Sequence, residues 1–323
     1  MHRRLLAAAF GAAALGLAAP AFAQAPWPDR PVRMIVGFPP GGSTDLAARI
    51  LAARLTPVLG QPVIVENRVG AAGNIAHEQV ARAAPDGYTL LMAATSFAAA
   101  PAFFDNLTWD PVRDYTPVSL VATVPIIVVT TPGLGVKSLK DLVAYSKANP
   151  GKVNMASPGA TTLTRLSGEQ FRQVAGLDWV TVHYKGGAPA MQDMLAGRAH
   201  VMFANISDVI QQVKAGKLDA VAVATPKRTP IAPDVPTVAE SGVPGFSFST
   251  WQAVVGPAGM PPAVVQKLNA EIRRIMAQPD VQAQFAQLGT DASTGTPEDL
   301  RTLLAEEVDK IKKVAKAVGA KNE

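Results

Sequence analysis

One stretch constrains the chain most: Arg33-Met-Ile-Val-Gly-Phe-Pro-Pro-Gly-Gly-Ser-Thr-Asp45, running on into a segment that ends at Leu55. Met34, Ile35 and Val36 form an apolar run of the kind a buried strand shows. After the Pro/Gly loop, Leu46, Ile50, Leu51 and Leu55 recur at helical spacing, and Ser43, Thr44 or Asp45 can cap that helix. Gly41 and Gly42 let the backbone approach a ligand closely. A strand, a Gly-Gly turn and a helix N-terminus together form an anion cradle. The loop has neither the Lys-Ser/Thr ending of a P-loop nor the G-x-G-x-x-G spacing of a dinucleotide site, so alone it fits a structural βα turn equally well.

The chain opens with the basic Met1-His-Arg-Arg, an apolar Leu5–Ala19 run and Ala21-Phe22-Ala23, which together read as a secretory signal peptide cleaved after Ala23. The apolar run is shorter than the roughly 20 residues that span a bilayer. The mature chain is expected to begin near Gln24 and to be soluble outside the cytoplasmic membrane. The 323 residues, 48% of them apolar and 17% charged, can bury a large core and suggest two domains. With no cysteine, disulfides, thiolate catalysis and thiolate-held zinc are all excluded. Net charge is +5, falling to +3 once Arg3 and Arg4 leave with the signal, a balance that suits an anionic small ligand. No basic cluster interleaved with aromatics points to nucleic acid.

Strand-like runs at Val32–Val36, Pro62–Glu66 and Tyr88–Ala93 alternate with helix-like runs at Asp45–Leu59 and Asn74–Ala83. This is the pattern of an open α/β sheet, with ligands at the carboxyl ends of its strands. Thr95 and Ser96 close one such strand and are candidates to share a ligand with the Gly41-Gly42 loop. Val121–Thr131 is strongly β-branched, and after Pro132-Gly-Leu-Gly the alternation restarts. Strands are expected at Val153–Ala156, Val180–His183, His200–Ala204 and Ala220–Thr225. The helices between them are Leu139–Ala148 (capped by Ser138), Leu163–Val174, Met191–Ala196 and Asp208–Ala215. Two polar loops, Ser157–Thr162 and Tyr184–Gly187, stand at strand ends in this second unit. Trp251–Val255 reads as a crossing back, and helices at Ala263–Met276 and from Pro297 to about Val318 finish the chain.

With these loops read, the chain resembles the substrate-binding proteins of tripartite tricarboxylate transporters, the Bug (TctC-like) periplasmic receptors. The matching stretches include Trp27-Pro-Asp-Arg-Pro-Val-Arg33, Pro39-Pro-Gly-Gly-Ser-Thr-Asp45, Val65-Glu-Asn-Arg68, Ala84-Pro-Asp-Gly-Tyr-Thr-Leu-Leu-Met92, His183-Tyr-Lys-Gly-Gly-Ala-Pro-Ala190 and Asp234-Val-Pro-Thr-Val-Ala-Glu-Ser-Gly242. The resemblance implies an α/β, two-lobed periplasmic binding protein (Venus flytrap, type II-like) with its ligand cleft between the lobes. Residues 24–126 and 249–323 are then expected in lobe 1 and residues 127–248 in lobe 2. It also implies a carboxylate held by backbone N–H groups and small hydroxyls, no cofactor, and membrane transporter subunits as partners. The expected ligand set is Phe38, Pro40, Gly41, Gly42, Ser43, Thr44, Asp45, Thr95 and Ser96 on lobe 1. On lobe 2 it is Ser157, Gly159, Thr161, Thr162, Arg165, Tyr184, Lys185, Gly186, Gly187 and Asn205. Thr161 and Arg165 stand where the family usually has Gly and His, and His200 and Ala204 where Asp is common. Those departures fall on lobe 2, which sets which ligand fits.

Several of these residues have a second reading. Arg165 either forks onto a distal carboxylate or is a solvated helix residue. Asp45 would repel a carboxylate, so its expected role is capping or ordering the loop. Lys185 points to the cleft or to water, and Tyr184 and Phe38 wall a ligand or fill core. His77, His183 and His200 have no metal-ligand spacing. With no G-x-S-x-G elbow, no cysteine and no opposed carboxylate pair, a binding protein is favoured over a periplasmic hydrolase. A receptor handing its ligand to a sensor kinase would use the same cleft. The expected form is a monomer that closes around its ligand.

Overall fold

A computed structural model describes residues 27–320 apart from 160, 161 and 185. The expected signal peptide, Thr161 and Lys185 lie outside the described residues. The strands are β1 (Val32–Val36), β2 (Val63–Asn67), β3 (Thr89–Ala94), β4 (Tyr115–Thr130), β5 (Val153–Ser157), β6 (Trp179–His183), β7 (Val201–Asn205), β8 (Asp219–Val223), β9 (Ser249–Pro257) and β10 (Asp291–Ala292). The helices are α1 (Ser43–Leu59), α2 (Asn74–Ala81), α3 (Thr95–Phe103), α4 (Leu139–Ala148), α5 (Leu163–Val174), α6 (Gly187–Leu195), α7 (Ile206–Lys214), α8 (Pro262–Met276), α9 (Pro279–Gln287) and α10 (Pro297–Ala317).

Strand β4 organises the sheet. Its first part, Tyr115–Pro125, pairs antiparallel with β9, and β9 pairs antiparallel with β3. β3, β1 and β2 then continue in parallel. Its second part, Ile126–Thr130, pairs antiparallel with β7 on one side and β8 on the other. Parallel β5 and β6 complete that half. One strand thus belongs to two half-sheets, and the main chain crosses between them at Pro125–Ile126 and again at Phe248–Ser249.

Each half is covered on both faces, so its central strands read as unbroken apolar runs. In β1, neighbouring side chains point to opposite faces. Met34 packs with Leu51, Leu55 and Leu268, whereas Ile35 packs with the cluster that holds Phe97, Trp109 and Tyr115. In the second half, Ile127, Val129 and Met202 pack with Val209 and Ile210 of α7. Ser138 caps α4 as expected, accepting the Asp141 N–H at 3.1 Å.

Two helices were not expected. α3 begins where only a strand end was read, and α9 precedes β10. α3 carries Pro101 and is buried along nearly its whole length, so no polar stripe marks it. Among the described residues no helix is long and apolar enough to cross a membrane.

Candidate ligand-binding cleft

A cavity of about 550 Å³ lies between the half-sheets. Helix N-termini from both halves meet at it. Gly42, Ser43 and Thr44 bring the start of α1; Ala94, Thr95 and Ser96 bring the start of α3. Thr162, Leu163 and Thr164 bring α5, Gly187 brings α6, and Asn205 and Asp208 bring α7. At α1, α3, α6 and α7 no side chain caps the first turn. Their leading N–H groups have no intrahelical partner, and each terminus carries a partial positive charge. Among the described lining residues there is no Lys, Arg or His; the one charged side chain is Asp208. Ala99, Val124, Met202 and Trp251 supply an apolar floor.

The glycine loop is held from behind rather than capped. Gly42 occupies the N-cap position of α1, so Ser43, Thr44 and Asp45 lie inside the helix instead of capping it. Asp45 is 1% exposed. Its carboxylate accepts the Gly41 N–H at 2.8 Å, Arg49 Nε at 2.9 Å and Asn67 Nδ2 at 2.8 Å. Asn67 Nδ2 also donates to the Phe38 carbonyl at 2.9 Å, tying the loop to β2. Burial pushes the Asp45 carboxyl up, but hydrogen bonds from Arg49, Gly41 and Asn67 outweigh it and hold it below the usual range. Gly41 has φ +84°, a left-handed conformation that favours glycine. Gly42 has ordinary φ/ψ, and a Cβ there would meet only Pro39 O at 3.5 Å.

On the neighbouring strand end, Thr95 Oγ1 accepts the Trp251 N–H at 2.7 Å, locking the first residue of α3 to β9. Ser96 Oγ is buried and has no partner among the described residues. In the other half, Thr162 caps α5 by accepting the Arg165 N–H at 3.2 Å and donates to Gly159 O at 2.9 Å. Buried Ser157 also donates to Gly159 O, at 3.2 Å. Tyr184 Oη donates to Asp193 Oδ2 at 2.7 Å, and burial followed by that carboxylate pushes its hydroxyl up to about 12. The Gly186 N–H donates to Pro158 O at 3.0 Å.

Of the residues singled out in the sequence, Phe38, Gly42, Ser43, Thr44, Thr95, Ser96, Thr162, Gly187 and Asn205 line the cavity. Pro40, Gly41, Asp45, Ser157, Gly159, Arg165, Tyr184 and Gly186 do not; Gly41, Asp45, Ser157, Tyr184 and Gly186 are engaged in the hydrogen bonds just described. Thr164, Asp208, Thr250 and Gln252 line it without having been picked out. Asp208 sat at the start of a read helix and Thr250 just before a read strand, so each could have been found by asking which polar residues flank an element end.

Two α/β half-sheets with a cleft of helix N-termini between them define a two-lobed solute-binding protein. Residues 47–320 match the model of the tripartite tricarboxylate transporter family receptor, and the chain belongs to that family. It is 38% identical over 323 residues, 99% of each chain, to Protein BugT of Bordetella pertussis. Solved structures share the fold. R. palustris Rpa4515 with adipate is 34% identical, with TM-score 0.80 over 91% of this chain and 99% of that one. MatC (Rpa3494) from Rhodopseudomonas palustris with bound malate is 33% identical, with TM-score 0.74 over 89% of this chain and 99% of that one.

Proposed function

We propose that this chain is a periplasmic receptor that captures a small organic carboxylate and delivers it to the membrane subunits of a tripartite tricarboxylate-type transporter. The observation that carries the reading is the meeting of bare helix N-termini at a cavity with no cationic side chain among its described lining residues. Such a site prefers an anion small enough to be wrapped by N–H groups. The carboxylate docks on the starts of α1 and α3, where Ser43, Thr44 and Ser96 add hydroxyls. Each charge-assisted hydrogen bond contributes roughly 1.5–3 kcal/mol, and each helix terminus ~0.3–2 kcal/mol. Three or four such contacts, less the association cost, reach micromolar affinity, about 8 kcal/mol.

Residues 24–126 and 249–323 act as one lobe and residues 127–248 as the other, bending where β4 and the chain before β9 cross. Thr162, Thr164, Gly187 and Asn205 reach the ligand only when the lobes approach, so ligand shifts the population toward the closed form. Adipate and malate in the related structures support a carboxylate ligand. The test is a thermal-shift screen of mono-, di- and tricarboxylates and amino acids, with hits titrated by calorimetry. A ligand that binds only the folded state raises the midpoint. If no acid shifts it, and mass spectrometry finds no acid released on denaturation, the carboxylate reading fails.

A further inference from the structure

The two ends of the cavity have opposite chemistry. The α1 and α3 side presents N–H and hydroxyl groups. The side where α7 meets β9 adds acceptor side chains, Asp208 and Gln252, beside the bare start of α7. Asp208 lies three residues after the N-cap Asn205, so the two share one side of the first turn of α7. Thr250 and Gln252 are two apart on β9 and share one face of that strand. Thr250 Oγ1 donates to Asn205 Oδ1 at 3.0 Å, which fastens the Asp208 turn against the Gln252 face. Gln252 is 2% exposed, lines the cavity, and its Oε1 has no partner among the described residues. Asp208 is exposed where it lines the cleft; within the chain its carboxylate is met by Ser207 Oγ at 3.3 Å and by the Asn205 side chain. Neither brings a full positive charge, and the start of α7 supplies only a partial one. A second carboxylate placed there would face a like charge at close range, which is unfavourable.

Resting on the carboxylate-receptor reading, we infer that the cleft selects acids bearing a cationic, N–H-rich group at their other end. These are amino acids rather than dicarboxylates, with the amino group received by Asp208 and Gln252. One acid-binding end and one amine-binding end set both the orientation of the ligand and its class.

The test is calorimetric titration of the chain with carbon-matched trios: β-alanine, propanoate and malonate; 4-aminobutanoate, butanoate and succinate; 6-aminohexanoate, hexanoate and adipate. In at least one trio the amino acid is expected to bind ten-fold or more tightly than both partners, the span of one charge-assisted contact. Asp208→Asn, nearly isosteric, is expected to reduce that preference to within three-fold while keeping the wild-type unfolding midpoint. A dicarboxylate that binds as tightly as its amino counterpart, or a preference that survives in Asp208→Asn, overturns the inference and leaves the carboxylate receptor standing. Binding by none of the nine acids overturns the inference, and the wider acid screen with mass spectrometry then decides the carboxylate reading separately.

Discussion

The Gly41 N–H donates to Asp45 Oδ2 at 2.8 Å, so the loop's left-handed glycine is fastened to a buried carboxylate rather than offered to a ligand. Asp45 therefore acts from behind the anion site. It shapes the turn and leaves the N–H groups that follow Gly42 free to face the cleft. The charge that looks misplaced beside an anion site is balanced by Arg49, whose Nε lies 2.9 Å away.

Asp45→Ala removes the acceptor for the Gly41, Arg49 and Asn67 donors together. It is expected to lower stability by about 1–3 kcal/mol and to weaken carboxylate binding at least ten-fold, because the loop loses its fixed shape. Since the folded carboxyl is held below its ordinary value, its contribution is present above the unfolded pKa of about 3.9 and is lost as pH falls through the lower folded value. Denaturant unfolding of both forms at pH 7 and pH 3 checks this. An Asp45→Ala protein as stable as the parent at pH 7 would refute the role.

Gly41 and Gly42 are adjacent but are expected to fail differently. Gly42→Val meets no close contact at Cβ, so it should keep the parent midpoint while its branched side chain blocks the approach of ligand to the start of α1. Gly41→Val forces a β-branched residue to φ +84° and is expected to cost about 1–2 kcal/mol of stability. Thermal midpoints and calorimetric titration of the pair separate the two effects. If Gly42→Val binds like the parent, the cradle is misplaced.

Thr95 and Ser96 divide structure from binding in the same way. Thr95→Val keeps the shape but leaves the buried Trp251 N–H without the 2.7 Å bond it makes now, for a loss of about 1–3 kcal/mol. Ser96→Ala removes a hydroxyl with no partner among the described residues, so stability should be unchanged and affinity should fall roughly ten-fold, the span of one hydrogen bond. A Ser96→Ala variant that loses stability but not affinity would reverse the assignment.

The parts of the chain legible in the sequence are those with a clear period. Met34–Val36 leading into Leu51 and Leu55 announced β1 and α1, because an apolar run and a 3.6-residue stripe are both visible in the order of the residues. The start of α1 was read two residues late, since Ser43 and Thr44 look like caps while Gly42 fills that position. α3 was illegible for the opposite reason. Thr95, Phe97 and Ala98–Ala100 are buried around the whole helix, and burial on every side erases the stripe. Asp208 had a local signal as a polar residue at a helix start, but its pairing with Gln252 across the cavity did not, because that depends on the Thr250–Asn205 contact between residues 45 apart.

His77 offers a pH test that does not depend on the ligand. It is 1% exposed, its ring packs edge-on to Phe97 at 5.2 Å and to Trp109 at 4.9 Å, and its Nδ1 has no partner among the described residues. Burial without a counter-charge pushes its pKa down to about 3. Below the unfolded value of about 6.5 the unfolded chain takes up a proton that the folded chain refuses, so stability falls as pH drops. The slope is about 1.4 kcal/mol per pH unit, or roughly 2 kcal/mol between pH 6.5 and 5, ceasing only near the folded pKa. His77→Leu keeps the site apolar and removes the proton site, so its stability difference from the parent should shift in its favour by that roughly 2 kcal/mol over the same interval. Denaturant midpoints of both proteins at pH 7, 6 and 5 measure it. Parallel pH profiles would mean that the folded protein accepts the proton, and that the aromatic pocket around His77 opens to water.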